Sequence, residues 1–430
     1  MSAHTSPGIN WAGSHVFGAR VLHRPTSLDQ ARRIIAAAPR IRALGTRHSF
    51  NALPDSPGDL ISLAGLEPQF EIDERAGTVT VSAAVTYGDL AEALDRAGFA
   101  LHAMASLPHI SVAGAIATGT HGSGDGVGSL AAAVVGLEFI DAQGQVHRIA
   151  RGEPDFDGAV VSLGALGVTT RVTMRIEPAY RVRQWVFNDV PWELVLEDFD
   201  ALTALGTSVS LFPSWLADSV DSVWVKRRAD GPDGGASPGV LGAYAASADQ
   251  HPVRSADARV CTPQQGVAGP WHERLPHFRM GFTPSSGAEI QVEYVLPRYL
   301  AIPALDALRG SSTLRERVGP LLHIGEVRTI AADDLWLSPA YRRPSISVHF
   351  TMDMDPVAVA AVLPVIDEVL APFDARPHWA KWFRTDPLRL ARRYPMLGRF
   401  RDLAARYDPD GCFRNAFLDT WVLGGTGAGR

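Results

Sequence analysis

Two glycine-bearing stretches combine backbone freedom with clustered hydroxyl groups. Residues 45–49 read Gly-Thr-Arg-His-Ser, and residues 106–124 carry Ser106, Ser111 and Gly114 before ending in Thr-Gly-Thr-His-Gly-Ser-Gly. Glycine lets backbone N–H groups approach an anion closely, and adjacent N–H groups form an anion-binding nest. The Ser and Thr hydroxyls add donors. Together the stretches predict two loops that hold a long diphosphate ligand; the alternative is a pair of tight turns without a ligand.

Familiar phosphate and hydrolase motifs are absent. Residues 114–119 have the glycine spacing of a P-loop, but Thr120 stands where that motif needs lysine. Residues 126–131 fit the dinucleotide fingerprint loosely and follow a loop rather than a strand, which argues against a nicotinamide dehydrogenase. Residues 272–277 miss the spacing of a zinc-protease helix by one position, and no G-x-S-x-G elbow or EF-hand loop occurs. We predict no metal site.

Two polar pairs have the spacing of neighbours on one face of a strand. Glu326 and Arg328 form one pair, and His349 and Thr351 form the other. Side chains two positions apart in a strand point to the same face. Arginine and histidine are residue types that stabilise an oxyanion and transfer a proton. The alternative is a surface ladder of charges with a solvated histidine.

Lysine is rare in this chain. Of 40 basic residues, only Lys226 and Lys381 are lysines. Where arginine is the default cation, a lysine indicates a place that needs a compact ammonium with a tunable pKa. An ordinary surface lysine is the alternative at each position.

The elements that must position these groups alternate between strand and helix over the first 178 residues. Ser27 begins a helix with Gln30 as its capping-box partner, and Pro39 ends it. Thr86 begins a second helix that Gly98 closes. The predicted strands are residues 19–22, 41–44, 78–85, 131–140 and 167–176.

Composition changes after Pro178, where aromatic residues become more frequent. We predict strands at residues 222–227 and 289–296, and a long loop at 229–252. Helices are predicted at residues 302–318, 356–370 and 394–405.

Length and composition limit the classes of protein to which this chain can belong. The 430 residues suffice for two or three domains of about 150 residues each. The net charge of −6 gives no basic surplus for nucleic-acid binding. Residues 1–20 lack an apolar signal region, no run approaches the ~18 apolar residues of a membrane span, and no coiled coil indicates dimerisation. Cys261 and Cys412, the only cysteines, fit a reducing compartment. We expect a cytoplasmic monomer without a membrane partner.

At the glycine loops the sequence resembles a known family. Residues 45–49 resemble the pyrophosphate loop of flavoproteins with the FAD-binding fold of p-cresol methylhydroxylase (the PCMH-type fold), and residues 106–124 resemble the second FAD loop. Residues 324–330, 347–351 and 377–381 are similar to the substrate-site segments of alditol (xylitol) oxidases, and residues 407–409 to the family's tail. The resemblance to this branch of the vanillyl-alcohol-oxidase superfamily covers most of the chain.

The resemblance implies an α+β fold and a flavin cofactor. It implies a PCMH-type FAD-binding domain at 12–178, an antiparallel-sheet substrate (cap) domain at 179–380, and a segment at 381–430 that returns to the FAD domain. It implies FAD held covalently through His48, and oxidation of a terminal hydroxyl of xylitol or sorbitol with O2 reduced to H2O2. The cofactor-binding candidates are Leu44, Gly45, Thr46, Arg47, His48, Ser49, Ser106, Ser111, Gly114, Thr118, Gly119, Thr120, His121, Val168 and His378.

Polyol oxidation gives the remaining residues their expected roles. Arg328 would stabilise the developing alkoxide, and His349 would take the hydroxyl proton, although His349 and Lys381 can exchange this role. The substrate hydroxyls would be held by Ser106, Glu326, Thr351 and Lys381.

Four questions stay open at this point. A sugar-1,4-lactone (aldonolactone) oxidase or dehydrogenase would share the FAD loops and a similar Glu-x-Arg. A flavin-binding module without redox activity is a second alternative, against which Glu326, Arg328, His349 and Lys381 argue. The sequence chooses neither between oxidase and dehydrogenase nor among polyols.

Overall fold

The computed structural model describes residues 7–231, 237–240, 243–282 and 288–424. The strands of its first part are β1 (Val21–His23), β2 (Ile41–Ala43), β3 (Asp59–Ile61), β4 (Phe70–Asp73), β5 (Thr78–Ser82), β6 (Phe99–Ala100), β7 (Val134–Ile140), β8 (Val146–Ala150), β9 (Val168–Arg175) and β10 (Glu177–Pro178). The helices of this part are α1 (Leu28–Ala37), α2 (Tyr87–Arg96), α3 (Val112–Ala117) and α4 (Phe156–Val160).

The second part adds longer strands and several helices. Its strands are β11 (Arg181–Pro191), β12 (Ser208–Phe212), β13 (Ser219–Arg228), β14 (Tyr244–Ala245), β15 (Gly269–Pro270), β16 (Glu289–Pro297), β17 (Leu322–Ile330), β18 (Ser345–Asp353) and β19 (Arg376–Pro377). Its helices are α5 (Trp192–Glu197), α6 (Phe199–Thr203), α7 (Ala301–Gly310), α8 (Ser312–Arg317), α9 (Pro356–Leu370), α10 (Pro387–Arg393), α11 (Leu397–Tyr407) and α12 (Ala416–Leu418), which a π-helical turn at Asp419–Leu423 follows.

Two small sheets carry the glycine loops. Within the described residues, β1, β3 and β2 form a parallel sheet of three strands, and β4, β5, β9, β7 and β8 form an antiparallel sheet of five. Strand β9 alternates buried and partly buried residues, which is the pattern of a sheet with one face on a core. The first glycine loop follows β2, and the second runs into α3.

One large sheet forms the second part. Its strand order over the described residues is β14-β11-β13-β12-β17-β18-β16-β19, and β15 pairs with β11. Every residue of β16 is buried, because helices cover one face of the sheet and the first part covers the other. Apolar Val292, Val348 and Val327 point to the helix side and belong to one core cluster. Their neighbours in sequence therefore face the first part of the molecule.

Two main hydrophobic cores match the two-domain α+β fold that the sequence predicts. The first joins β5, β7 and β9 to the C-terminal helices α10 and α11, through residues such as Leu390 and Phe400. The second lies between the large sheet and helices α5 to α9. The exact domain boundaries, 12–178, 179–380 and 381–430, stay predictions.

Several predicted elements differ in detail from the structure. The helix expected at 302–318 is divided at Ser311, which caps α8 by accepting a hydrogen bond from Leu314 N. Residues 130–133 form a 3-10 turn before β7, so the strand is shorter than predicted. The loop expected at 229–252 contains the short strand β14; residues 232–236 and 241–242 of that loop lie outside the described residues.

The expected capping partner of α1 is also shifted. Ser27 accepts from Gln30 N as predicted, but Gln30 Oε1 accepts from the backbone N of Thr26 at 2.9 Å, one residue before the cap. The Gln30 side chain therefore bonds to the residue that precedes the N-cap and not to the N-cap itself.

The prediction that no run approaches a membrane span needs one correction. Among the described residues, Pro356–Phe373 is long and apolar enough to cross a membrane by length and composition. In the structure its helix α9 buries Val359, Val362 and Ile366 in the second core, against the large sheet. The apolar composition is therefore that of a core helix in this fold.

Candidate active site

A cavity of about 280 Å³ lies between the two glycine loops and the large sheet. All of the predicted site residues line it except Gly119. Gly119 has a φ of +68°, and a Cβ there would lie 3.0 Å from Pro339 Cδ, so its glycine serves the turn and its packing. Among the lining residues are the predicted Leu44, Arg47, Ser49, Ser106, Gly114, Thr120 and Val168.

The two loops contact each other through Ser111. Its backbone N donates to Thr46 Oγ1 at 3.0 Å, which fixes the second loop against the first. A Cβ built on Gly45 would lie 2.4 Å from Ser111 Oγ, and one built on Gly114 would lie 2.8 Å from it. Both glycines therefore leave the space that the Ser111 hydroxyl occupies. Thr118 Oγ1 bonds back to Gly114 O at 3.0 Å and holds the end of α3.

His48 stands at the first loop with one nitrogen unused. Its Nδ1 lies 3.0 Å from Thr46 Oγ1, and its ring stacks on Trp11 with centroids 5.2 Å apart. Its Nε2 is buried and has no hydrogen-bond partner. Burial lowers the pKa of His48 to about 4, with His109 and Lys381 acting in the same direction. The imidazole is thus neutral at pH 7 and carries a free nitrogen at the cavity, as a bond to a cofactor requires.

Polar residues of three adjacent strands form a row on the cavity side of the large sheet. Glu293 of β16 is opposite His349 of β18, and His349 is opposite Glu326 of β17. Gln291 and Thr351 form the next row, and Arg328 lies two positions from Glu326 on the same face. The i, i+2 spacing therefore predicted the shared faces correctly, and the register brings the two predicted pairs together.

Arg328 lies between two buried carboxylates. Its Nη2 donates to Glu293 Oε1 at 2.6 Å, and its Nε lies 3.4 Å from Glu326 Oε1. Burial alone would raise the pKa of each carboxyl group, but Arg328 together with the neighbouring histidines, His121 at Glu293 and His277 at Glu326, holds the pKa of both well below the usual value. Burial would lower the pKa of Arg328, and Glu326 and Glu293 raise it instead. All three groups are charged at neutral pH.

His349 sits at the centre of the row. Its Nε2 lies 3.2 Å from Thr351 Oγ1, and its Nδ1 lies 3.4 Å from Glu293 Oε2, at an angle that makes no hydrogen bond. One ring nitrogen is therefore available to a substrate hydroxyl. This position suits the proton transfer that the sequence assigns to His349.

Lys381 approaches the site from the C-terminal side. Its ammonium contacts Gln291 Oε1 and lies 4.7 Å from the centroid of the Phe50 ring. Burial lowers the pKa of Lys381 to about 8, against the opposing effect of Glu293. A cation with this pKa can hold a substrate hydroxyl or exchange a proton near neutral pH, so the two roles left open by the sequence remain open.

Two buried histidines, His121 and His378, lie beside the row. Their ring centroids are 6.0 Å apart, and His121 Nε2 lies 3.1 Å from Glu293 Oε1. His378 Nδ1 accepts from Ala380 N at 3.1 Å, and burial lowers the pKa of His378 to about 3. A neutral His378 fits a position beside an aromatic cofactor ring.

Sequence reasoning missed Glu293, Gln291 and His277. Residues 289–293 alternate Glu, Ile, Gln, Val and Glu within a predicted strand, and this acidic face was a signal of a polar site. His277 was weighed only as a zinc ligand. In the structure its Nε2 lies 2.9 Å from Glu326 Oε1, and no cluster of metal-ligating residues occurs within the part of the chain described.

Comparisons with known proteins agree with this geometry. Residues 19–150 match the family model "FAD binding domain", and residues 288–421 match "D-arabinono-1,4-lactone oxidase". An alditol oxidase from a Streptomyces strain is 46% identical over 95% of this chain and 97% of its own. The chain belongs to the alditol oxidase family. More distant members of the wider group include an L-gulono-1,4-lactone dehydrogenase from Mycobacterium tuberculosis, 28% identical over 95% of this chain and 97% of its own.

Solved structures show the same fold at low sequence identity. The crystal structure of a cholesterol oxidase from B. sterolicum superposes with a TM-score of 0.78 at 14% identity, over 98% of this chain and 97% of that one. As a member of the family with an FAD-binding domain, the protein is an FAD-dependent oxidoreductase. The residues present fit that cofactor, because the two glycine loops and an unpaired His48 Nε2 border one cavity.

Proposed function

We propose that the protein oxidises a terminal hydroxyl of an alditol, such as xylitol or sorbitol, to the aldose while O2 is reduced to H2O2. The observation that carries this proposal is the row of Glu293, His349 and Glu326, with Arg328 beside it, facing the cavity of the glycine loops. The 46% identity to an alditol oxidase supports the substrate class.

The chain's own residues divide the work of binding and proton transfer. Glu326, Thr351 and Lys381 hold substrate hydroxyls, and Ser106 orients the reacting carbon from the second loop. Because the substrate is small and flexible, this positioning supplies much of the rate. Arg328 stabilises the alkoxide that develops as His349 takes the hydroxyl proton, and the two carboxylates keep Arg328 charged and oriented. FAD, when bound, would supply the acceptor for the hydride and the route by which its electrons reach O2.

We further propose that FAD is attached covalently through His48. Its neutral imidazole and its buried, unpaired Nε2 support this attachment.

A sugar-1,4-lactone oxidase is the second candidate. The match of residues 288–421 to the D-arabinono-1,4-lactone oxidase model favours it, because that range includes Glu293, Glu326, Arg328 and His349. The identity to lactone-oxidising relatives is lower, at 28% or less over the whole chain. We therefore place the alditol first.

A peroxide assay tests both candidates. Purified, air-saturated enzyme would be mixed in turn with xylitol, sorbitol, mannitol, L-gulono-lactone and L-galactono-lactone. Peroxide from the alditols alone supports the proposal, and peroxide from the lactones alone overturns the substrate while keeping the flavin site. Reduction of a dye without peroxide would make the protein a dehydrogenase.

Oligomeric state, compartment and domain limits belong to the same proposal. We propose a cytoplasmic monomer with no membrane partner, with an FAD domain at 12–178, a cap domain at 179–380 and a returning segment at 381–430. Two free, buried cysteines, Cys261 and Cys412, support a reducing compartment.

A further inference from the structure

Lys226, one of the two lysines of the chain, lies behind the cavity and outside it. It is 1% exposed on β13, and its ammonium has three acceptors: Leu275 O at 2.6 Å, Pro276 O at 3.1 Å and His277 Nδ1 at 3.2 Å. A lysine ammonium has three hydrogens and accepts none. Below the pKa of Lys226, which burial lowers to about 7, the three neighbours use all of its donors, and His277 Nδ1 must present its lone pair.

The contact with Lys226 sets the tautomer of His277, and with it the group that His277 presents to the active site. Because Nδ1 accepts from Lys226, the hydrogen of the neutral ring is on Nε2, which lies 2.9 Å from Glu326 Oε1. Phe212 and Trp224 pack edge-on against the ring at centroid distances of 5.4 and 5.2 Å, so its orientation is fixed. The other tautomer would place a lone pair against the Glu326 carboxylate.

We propose that Lys226, acting through His277, is a positioning residue for Glu326. It selects the tautomer of His277 whose Nε2–H donates to Glu326, and this bond keeps the carboxylate ionised and aimed beside Arg328. The consequence for substrate rests on the function proposed above, in which Glu326 holds a hydroxyl of the alditol.

The energetics of the site agree with a positioning role. No carboxylate lies within salt-bridge distance of Lys226 among the described residues, and a buried ammonium without such a partner is costly. Burial lowers the pKa of Lys226 to about 7 and, together with Lys226, the pKa of His277 to about 4, so between these two pH values Lys226 is an ammonium and His277 is neutral, as the arrangement needs.

Nitrogen NMR of the histidine side chains tests the tautomer directly. The holoenzyme would be labelled with ¹⁵N-histidine, and the His277→Gln variant would assign the His277 signals. We expect wild type to carry the hydrogen on Nε2, and Lys226→Met, which has no donor, to shift His277 toward the Nδ1–H form. A wild-type ring protonated on Nδ1 would overturn the proposal without any Lys226 variant, even if Lys226→Met did not fold.

Steady-state kinetics test the consequence for the substrate. We expect Lys226→Met to raise KM for the alditol at least tenfold while kcat falls less, because a misplaced Glu326 loses binding in both ground and transition states. His277→Gln, whose side-chain amide can still donate to Glu326, should keep KM near the wild-type value, whereas His277→Phe should raise it as Lys226→Met does. An unchanged KM in Lys226→Met would contradict the inference.

Arg393 supplies a matched control. It is another buried cation that donates to backbone carbonyls, those of Ala375 and Ala371, and it does not line the cavity; unlike Lys226, it also lies near a carboxylate, with its Nε 3.5 Å from Asp374 Oδ1. Arg393→Met should lower the melting temperature but leave KM and the His277 tautomer unchanged. If wild type oxidises no alditol, the proposed function fails while the tautomer result still stands; if the tautomer is unaffected by Lys226, only this inference fails.

Discussion

Arg328 Nη2 donates a hydrogen bond to Glu293 Oε1 at 2.6 Å, and the two side chains are 7% and 2% exposed. This contact joins β17 to β16 although β18 lies between them, so it spans the row that His349 occupies. The guanidinium is held from one side by Glu293 and from the other by Glu326. The direction in which the guanidinium points into the cavity is therefore fixed by two carboxylates of the sheet, and not by the conformation of the arginine side chain alone.

Replacing Glu293 by glutamine should affect both stability and catalysis. The substitution keeps the size of the side chain but removes the charge that orients Arg328. We expect kcat for the alditol to fall by about 10² and the free energy of unfolding to fall by about 3 kcal/mol. Glu138→Gln is the control, since Glu138 also pairs with an arginine, Arg148, but does not line the cavity. An unchanged kcat in Glu293→Gln would show that Arg328 needs no such anchor.

His48→Ala should release the flavin. Wild-type protein precipitated with acid should stay yellow, whereas the variant should lose its colour to the supernatant, because no bond remains. His109→Ala is the matched control: this histidine belongs to the second loop and contacts Met280 O, without lining the cavity. A His48→Ala pellet that kept its colour would assign the attachment to another residue.

Gly45→Ala should weaken the cofactor site by a steric effect that a second change relieves. The new methyl group would meet Ser111 Oγ at 2.4 Å, while Ser111 Cβ is 3.6 Å away. We expect Gly45→Ala to purify with reduced FAD content, measured by absorbance, and the double variant with Ser111→Ala to recover it. Equal loss in the single and double variants would exclude this contact as the cause.

His349→Ala should slow the reductive half-reaction. If His349 takes the hydroxyl proton, anaerobic reduction of the flavin by xylitol should fall by about 10²–10⁴. Lys381→Met should then raise KM with a smaller change in the reduction rate. The reverse pattern, with the larger rate loss in Lys381→Met, would transfer the proton role to Lys381.

Stability should decrease as pH falls below about 6.5, the usual pKa of histidine. Burial lowers the pKa of His48 and His277 to about 4 and that of His378 to about 3, so the unfolded chain binds protons that the folded chain refuses. Stability rises with pH wherever the unfolded state binds more protons. The loss should develop between pH 6.5 and 4, and it should amount to as much as about 3 kcal/mol for one such histidine.

Denaturant unfolding at several pH values measures this effect. The substitution His378→Asn should flatten the profile between pH 6.5 and 4. The depressed carboxyl groups Glu293 and Glu326 add a separate loss, since their contribution is present above about pH 4.3 and disappears as pH falls further. A profile that stays level down to pH 4 would contradict the histidine assignment.

The local pattern of the sequence predicted which side chains share one face of a strand, but it did not predict which strands lie next to each other. Alternation placed Glu326 with Arg328 and His349 with Thr351, because a strand's period of two is a local property. Which strand lies beside which is decided by packing over long sequence distances. For this reason Glu293 was missed: its strand was predicted, but only the register of β16 on β18 puts its carboxylate beside Arg328.

The roles of Lys226 and His277 depended even more on tertiary structure. Rarity of lysine identified Lys226 as unusual, but the sequence contains nothing that joins it to a histidine 51 positions later. Likewise, the sequence did not predict that the helix is divided at Ser311, because helix-forming residues stand on both sides. The division follows from the hydrogen bond by which the Ser311 side chain caps α8. Glycine loops, by contrast, were predictable, because close approach and unusual φ values restrict residue choice locally.

The first glycine loop is tied to the far end of the chain, and this has a consequence for how the protein is made. Phe50 N donates to Ala380 O at 2.8 Å, and the Asn51 side chain donates to Trp379 O and Lys381 O at 2.8 and 2.7 Å. Contacts between residues some 330 positions apart form late, since a domain emerges from the ribosome at about 5–20 residues per second. The loop bearing His48 therefore gains its C-terminal contacts only after almost the whole chain has been translated, and until then only contacts within the N-terminal half, such as that of Ser111 N with Thr46 Oγ1, can hold it.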